Sequence, residues 1–252
     1  MNNHYKYIII DNRMRKIEKD YLKSLGYKLI ELPKNDSVYE EISSHTDIFV
    51  FKIDNTIISE PSVYDLLNKK IISVIKGEKI VESKYPLDIP YNVCIIGNYA
   101  IHNFKYTSKK VIEILIDKGY ININTKQGYT NCSIAVIDDN SIIINDKGLY
   151  KELSKFNFNI LYIEDELDIK LLCNNKYSKK RGFIGGCITR VDNKIIVFGD
   201  LNKIDEHGKI RKFIQSRKLQ IIDFKTLDVI DYGGVVVIEF KFLALQNFLL
   251  IN

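Results

Sequence analysis

Two side chains at the head of one apolar run carry the first chemical signal: His45 and Asp47 in Ser44-His45-Thr46-Asp47-Ile48-Phe49-Val50-Phe51. An imidazole titrates near neutrality and moves protons in either direction, and a carboxylate beside it can hold a cation. The run behind them reads as a strand, in which residues two apart share a face, so the pair is expected to converge on one pocket. Nucleophiles lie further along. Cys94, Cys132, Cys173 and Cys187 have no CxxC or CxxH spacing, so neither a zinc site nor a disulfide framework is expected. A thiol becomes reactive when a nearby cation lowers its pKa of about 8.5. Thiol, imidazole and carboxylates in one pocket would suit attack on the central carbon of a planar, cationic substrate.

The elements that must position these groups repeat along the chain. The first expected unit has strands on either side of Asp54-Asn55, a helical segment after Pro61 and a strand near Lys79 to Glu82. The next has Asn92 to Ile96, a Gly97-Asn98 turn, Tyr99 to Asn103, a helix over about 108–118 and Tyr120 to Asn124. A third runs from Asn131 to Ile163 and a fourth from Gly185 to Asp223, in the same order. Each hairpin turn offers Asp, Asn or Gly, which tolerate the positive φ that tight turns need. A fifth copy begins at Asp231-Tyr232-Gly233-Gly234 with a strand over Val235 to Phe240. Its missing strand, helix and strand are those that residues 1–33 supply. The expected fold is therefore a single α/β domain over residues 1–252, a five-fold propeller of ββαβ units. The units start near 45, 92, 131, 185 and 233, and pairing of the two terminal segments closes the ring. The polar connection 164–181 and the apolar tail 242–252 have no place in this scheme.

Starts of first strands would surround the centre, which brings Asn92, Asn131, Cys132 and Asp231 toward His45 and Asp47. Of the other cysteines, Cys94 and Cys173 read as packing residues, and Cys187 in Gly185-Gly186-Cys187 is a local look-alike of the Cys132 segment.

Bulk properties narrow the classes. The net charge of +5 arises from 37 basic and 32 acidic residues spread without a basic block, which argues against nucleic-acid binding. Met1 to Ile10 holds no apolar segment long enough for a signal peptide or membrane span, so a cytoplasmic protein with no membrane partner is expected. The glycine pairs at 185 and 233 do not form GxGxxG, so no nucleotide cofactor is indicated.

The five-unit pattern and the His45-x-Asp47 stretch resemble the pentein superfamily of guanidino-group modifying enzymes. Ser44-His45-Thr46-Asp47-Ile48-Phe49 is similar to the histidine strand of agmatine deiminases. Gly128-Tyr129-Thr130-Asn131-Cys132-Ser133 is similar to the family's cysteine segment, and Asp231-Tyr232-Gly233-Gly234 to its acid before a glycine pair. The family's remaining acid has no match in Arg181-Gly182-Phe183-Ile184-Gly185-Gly186. The resemblance implies Cys132 as nucleophile, His45 as proton carrier, and Asp47, Asp231, Asn131 and Asn92 around a small guanidino or amidino substrate. It implies no metal or organic cofactor, and a hydrolase, deiminase or amidinotransferase. The alternative is a catalytically inactive member of the fold that binds a small molecule or protein partner.

Overall fold

In a computed structural model, which describes residues 4–71, 73–174 and 176–241, five three-stranded sheets share one plan. A first strand pairs antiparallel with a second, and a third returns through a helical crossover to lie parallel to the second. The unit sheets are Val50–Ile53, Thr56–Ser59 and Val74–Lys76; then Cys94–Ile96, Tyr99–His102 and Ile121–Asn124; then Ile134–Asp138, Ser141–Ile144 and Asn159–Tyr162; then Ile188–Val191, Lys194–Val197 and Gln220–Ile222. The fifth is assembled from both ends of the sequence. Val236–Lys241 pairs antiparallel with His4–Asp11, from His4 opposite Lys241 to Ile9 opposite Val236, and His4–Asp11 runs parallel to Lys28–Leu32.

The order follows from composition. Second strands are near-continuous isoleucine runs: Ile8 to Ile10, Ile57 and Ile58, Ala100 and Ile101, Ile142 to Ile144, and Ile195 to Val197 are all fully buried. Strands apolar on both faces belong in the middle of a covered sheet. The crossover helices cover them with residues four apart, which share one helical face. The buried pairs are Val111 and Leu115 in Lys109–Asp117, Leu149 and Leu153 in Lys147–Leu153, and Ile210 and Ile214 in Lys209–Gln215. Lys16–Ser24 buries Glu18 with Leu22, and Glu18 accepts from the Tyr232 hydroxyl at 3.0 Å, tying the helix of the fifth unit to the segment that leads into its first strand. The hairpin turns of the first, second and fourth units use positive φ at Asp54, Gly97 and Asp192, as their residue types suggested, whereas the third, Asp138-Asp139-Asn140, has no residue at positive φ.

Some expectations change. The strand expected near Lys79 to Glu82 lies earlier, at Val74–Lys76. It ends at Gly77, where a Cβ would lie 2.2 Å from the Tyr91 hydroxyl, and Lys79 instead bonds that hydroxyl through its backbone. The polar connection 164–181, which had no place in the five-unit scheme, contains a hairpin of its own, Lys170–Cys173 with Lys176–Arg181. The tail 242–252 lies outside the described residues. Most consequentially, three first strands begin later than expected, because a one-turn α-helix precedes each: Thr46–Phe49, Thr130–Ser133 and Ile184–Cys187.

Central-strand burial gives a direct test. Ile143→Ala is expected to lower unfolding free energy by about 2–5 kcal/mol in urea titrations. The same change at the exposed outer-strand residue Ile121 should cost less than about 0.5 kcal/mol.

Candidate functional site

The helical turns set the geometry, and they overturn the reason given above for pairing His45 with Asp47. His45 is the N-cap of Thr46–Phe49 and Asp47 lies within the helix, so strand alternation does not apply. Residues two apart in a helix diverge. His45 turns toward the fifth unit, where its Nδ1 lies 3.7 Å from Asp231 Oδ1, while Asp47 Oδ2 accepts from the Cys132 thiol at 2.8 Å. The two still border one cluster, because units carrying Cys132 and Asp231 close on the turn from different directions.

Superposing the turns by position explains the choice of residue. His45, Tyr129 and Phe183 are the three N-caps. Asp47, Asn131 and Gly185 share the second helical position; Ile48, Cys132 and Gly186 share the third. Cys187 is one position beyond Cys132's equivalent, and its thiol points at the Ile184 carbonyl within an apolar cluster, which leaves it a packing role. Cys94 is likewise in an apolar cluster.

Asn92 joins the first and third units. Its Nδ2 donates to the Asp47 carbonyl at 3.2 Å and to Cys132 Sγ at 3.1 Å; its Oδ1 accepts from the backbone of Asn131 at 2.9 Å and of Cys132 at 3.4 Å. With donors and acceptor so engaged, Asn92 fixes the thiol rather than presenting a free amide. Asn131 faces a cavity on the strand side of the turns.

Asp231 sits where glycines make room for it. Its oxygens accept from Gly233 N and Phe183 N, each at 2.8 Å. A Cβ on Gly186 would fall 1.8 Å from Asp231 Oδ1, and one on Gly182 2.5 Å from Asp231 Cβ. A side chain at either position and the Asp231 carboxylate are mutually exclusive, which is the steric reason the Arg181 to Gly186 segment carries no acid of its own at these two positions. Gly233, at φ +68°, approaches within 2.6 Å of Asp47 Oδ1 and His45 Cβ by the same measure, so only glycine fits.

Electrostatically the cluster is poor in cations. Cys132, His45, Asp47 and Asp231 are all 1–2% exposed, and no lysine or arginine among the described residues is bonded to either acid. Burial, then opposed by the neighbouring thiol and amide hydrogen bonds, raises the Asp47 pKa to about 6. Burial also raises Asp231, with the His45 charge opposing, and lowers His45 against the pull of Asp231 and Asp11. The Cys132 thiol is pushed well above its ordinary value by burial first, then by the charges of Asp47 and Asp231. Both His45 nitrogens, Asp47 Oδ1 and Ser44 Oγ are buried without a hydrogen-bond partner. Such atoms call for a ligand or water.

Sequence reasoning passed over an aromatic flank. Tyr129 stacks on Phe183 at 5.8 Å and leans on Tyr85 at 5.6 Å, and its hydroxyl bonds the buried Asp88. Tyr129 and Phe183 could have been found as N-cap equivalents of His45; nothing in the sequence marks Tyr85 or Asp88.

The raised Asp47 pKa fixes the sign of a pH effect. Between the ordinary 3.8 and about 6 the folded chain binds a proton that the unfolded chain releases, so stability falls as pH rises through that window. The cost is complete above about pH 6 and amounts to about 3 kcal/mol. Asp47→Asn keeps an oxygen for the thiol and removes that cost. Urea unfolding is expected to show the variant more stable by about 2–3 kcal/mol near pH 8, with no gain near pH 4.

Solved structures with this arrangement of elements are informative about fold. The chain resembles dimethylarginine dimethylaminohydrolase from Pseudomonas aeruginosa, a cysteine-to-serine variant complexed with citrulline (12% identity, TM-score 0.55, 94% of this chain and 99% of that one). It resembles the agmatine deiminase of C. jejuni (12% identity, TM-score 0.51, 90% and 92%) and an amidinotransferase of the saxitoxin pathway from Microseira wollei (10% identity, TM-score 0.53, 98% and 99%). At these identities the likeness establishes a mixed α/β fold of small sheets shared with those three enzymes. No curated protein matches the sequence. A family model does match, over residues 9–236, and the chain belongs to that family, described as Family of unknown function (DUF6873).

Proposed function

We propose that the protein is a cysteine-dependent hydrolase, deiminase or amidinotransferase for a small guanidino or amidino compound, built as a closed five-unit propeller. The observation that carries this reading is the pair of buried carboxylates, Asp47 and Asp231, with no lysine or arginine among the described residues bonded to either, beside the Cys132 thiol. Burying carboxylates without a counter-charge is costly, and a cationic substrate offsets the cost. A guanidinium or amidinium suits the site because its planar N–H fork meets carboxylates in paired, charge-assisted bonds.

In this reading the substrate's N–H groups replace the thiol at Asp47 Oδ2 and the cation reaches toward Asp231, which sets the central carbon beside Cys132 Sγ. The thiol yields its proton to His45 as sulfur bonds to carbon. A C–N bond breaks and the departing amine takes a proton from His45. Water or an acceptor amine then gives a proton to His45 and attacks the same carbon, the C–S bond breaks, and the thiol is restored. The likeness to enzymes named for dimethylarginine, agmatine and amidino transfer supports this substrate class.

A second reading, a catalytically silent ring that binds a small molecule or partner, is favoured by the enclosure of all four groups and by the raised thiol pKa. Chloroacetamidine, an amidine-bearing alkylating reagent, separates the two. Peptide mass spectrometry is expected to find Cys132 modified at least tenfold faster than Cys94, Cys173 and Cys187, with that excess lost in His45→Ala and smaller with uncharged chloroacetamide. Slow modification led by Cys173, the partly exposed thiol, would establish the silent ring instead.

A further inference from the structure

On the strand side of the turns, one cavity of about 260 Å³ is lined from all five units. Its lining includes Thr46, Asn131 and Gly185 from the helical turns and the neighbouring Gly233 and Gly234. Outward from there the first strands supply side chains in layers. Val50, Ile134 and Ile188 each follow their helical turn directly, and Lys52, Val136 and Arg190 stand two residues further along. The inner layer is wholly aliphatic; the outer layer sets two cations beside valine.

Those cations are poorly matched by the protein. Asp54 and Glu239 are the acids whose charge reaches Lys52, but Asp54 is paired with Lys118 at 2.7 Å and Glu239 with Lys6 at 2.7 Å. No ion pair to Lys52 occurs among the described residues. Burial holds its pKa below the ordinary value, so its charge is under-compensated where it stands. Arg190 donates to the Asp192 carbonyl at 3.2 Å, and its nearest acid, Asp139, is 3.8 Å away with a side chain 96% exposed. A pair so solvated holds the guanidinium only weakly.

We propose that this cavity binds a small aliphatic carboxylate, with the chain among Val50, Val93, Ile134 and Ile188 and the carboxylate between Lys52 and Arg190. At about 30 Å³ per heavy atom the space takes about nine of them, the size of hexanoate or heptanoate. The proposal does not depend on any reaction at Cys132, since none of its residues is in that cluster.

Calorimetric titration of the full chain with propionate, butyrate and hexanoate tests it. One-to-one binding is expected, tightening about fourfold for each added CH₂ until the cavity is full. Lys52→Met with Arg190→Met should weaken hexanoate at least tenfold, and Val136→Phe should abolish binding by filling the space, circular dichroism reporting that each variant is folded. Should a variant fail to fold, the wild-type series decides alone. Binding of hexanol as tight as hexanoate, binding of inorganic phosphate as tight as hexanoate, or no heat from hexanoate at millimolar concentration would each overturn the assignment.

Discussion

The enclosure of two carboxylates with no lysine or arginine among the described residues bonded to either is the constraint on which the centre of this protein depends. Asp47 and Asp231 arrive from different units, and each is kept in place by hydrogen bonds rather than by an opposite charge. Such bonds leave Asp47 Oδ1 unpartnered and net charge unmet in a low-dielectric surrounding, so the pKa values of both acids and of the neighbouring thiol are raised. An arriving cation would relieve all three groups at once, which is the physical basis of the proposed substrate class.

Close backbone approach makes that arrangement possible. Gly185 lies so near the Asn131, Cys132 and Ile134 carbonyls that a Cβ would meet them at 2.3–2.6 Å, and Gly186 and Gly233 leave space for the carboxylates. Asn92 then uses one amide to lock the Asp47 turn to the Cys132 turn. A symmetric set of turns thus becomes an asymmetric site: equivalent positions hold Cys132 in one unit and the room for Asp231 in another. The strands beyond the turns repeat this economy, placing lysine and arginine in a layer that is otherwise aliphatic.

The repeat was legible in the sequence because it rests on local rules. Isoleucine runs mark central strands, turn residues at Asp54, Gly97 and Asp192 mark hairpins, and apolar residues four apart mark the covering helices. Counting units then directed attention to His45, Asp47, Cys132 and Asp231 together, without any one of them being distinctive alone. What local pattern could not supply was the conformation of four-residue segments. Thr46–Phe49 and Thr130–Ser133 are too short for helical periodicity to be seen and their apolar or β-branched residues read as strand, so the argument from alternating faces failed although the residues it joined do border one cluster.

The sequence by itself determined the unit plan, the termini meeting in one sheet and the types of residue available at the centre, since these follow from period, turn chemistry and composition. Only the tertiary structure decided which partners those residues have. That His45 faces Asp231 while Asp47 meets Cys132, that Asn92 is a clamp, that glycines at 182 and 186 exclude side chains, and that Lys52 and Arg190 border one cavity all depend on contacts between units. Such contacts join residues 40 to nearly 190 positions apart, and no local preference encodes the direction in which two side chains meet across that separation.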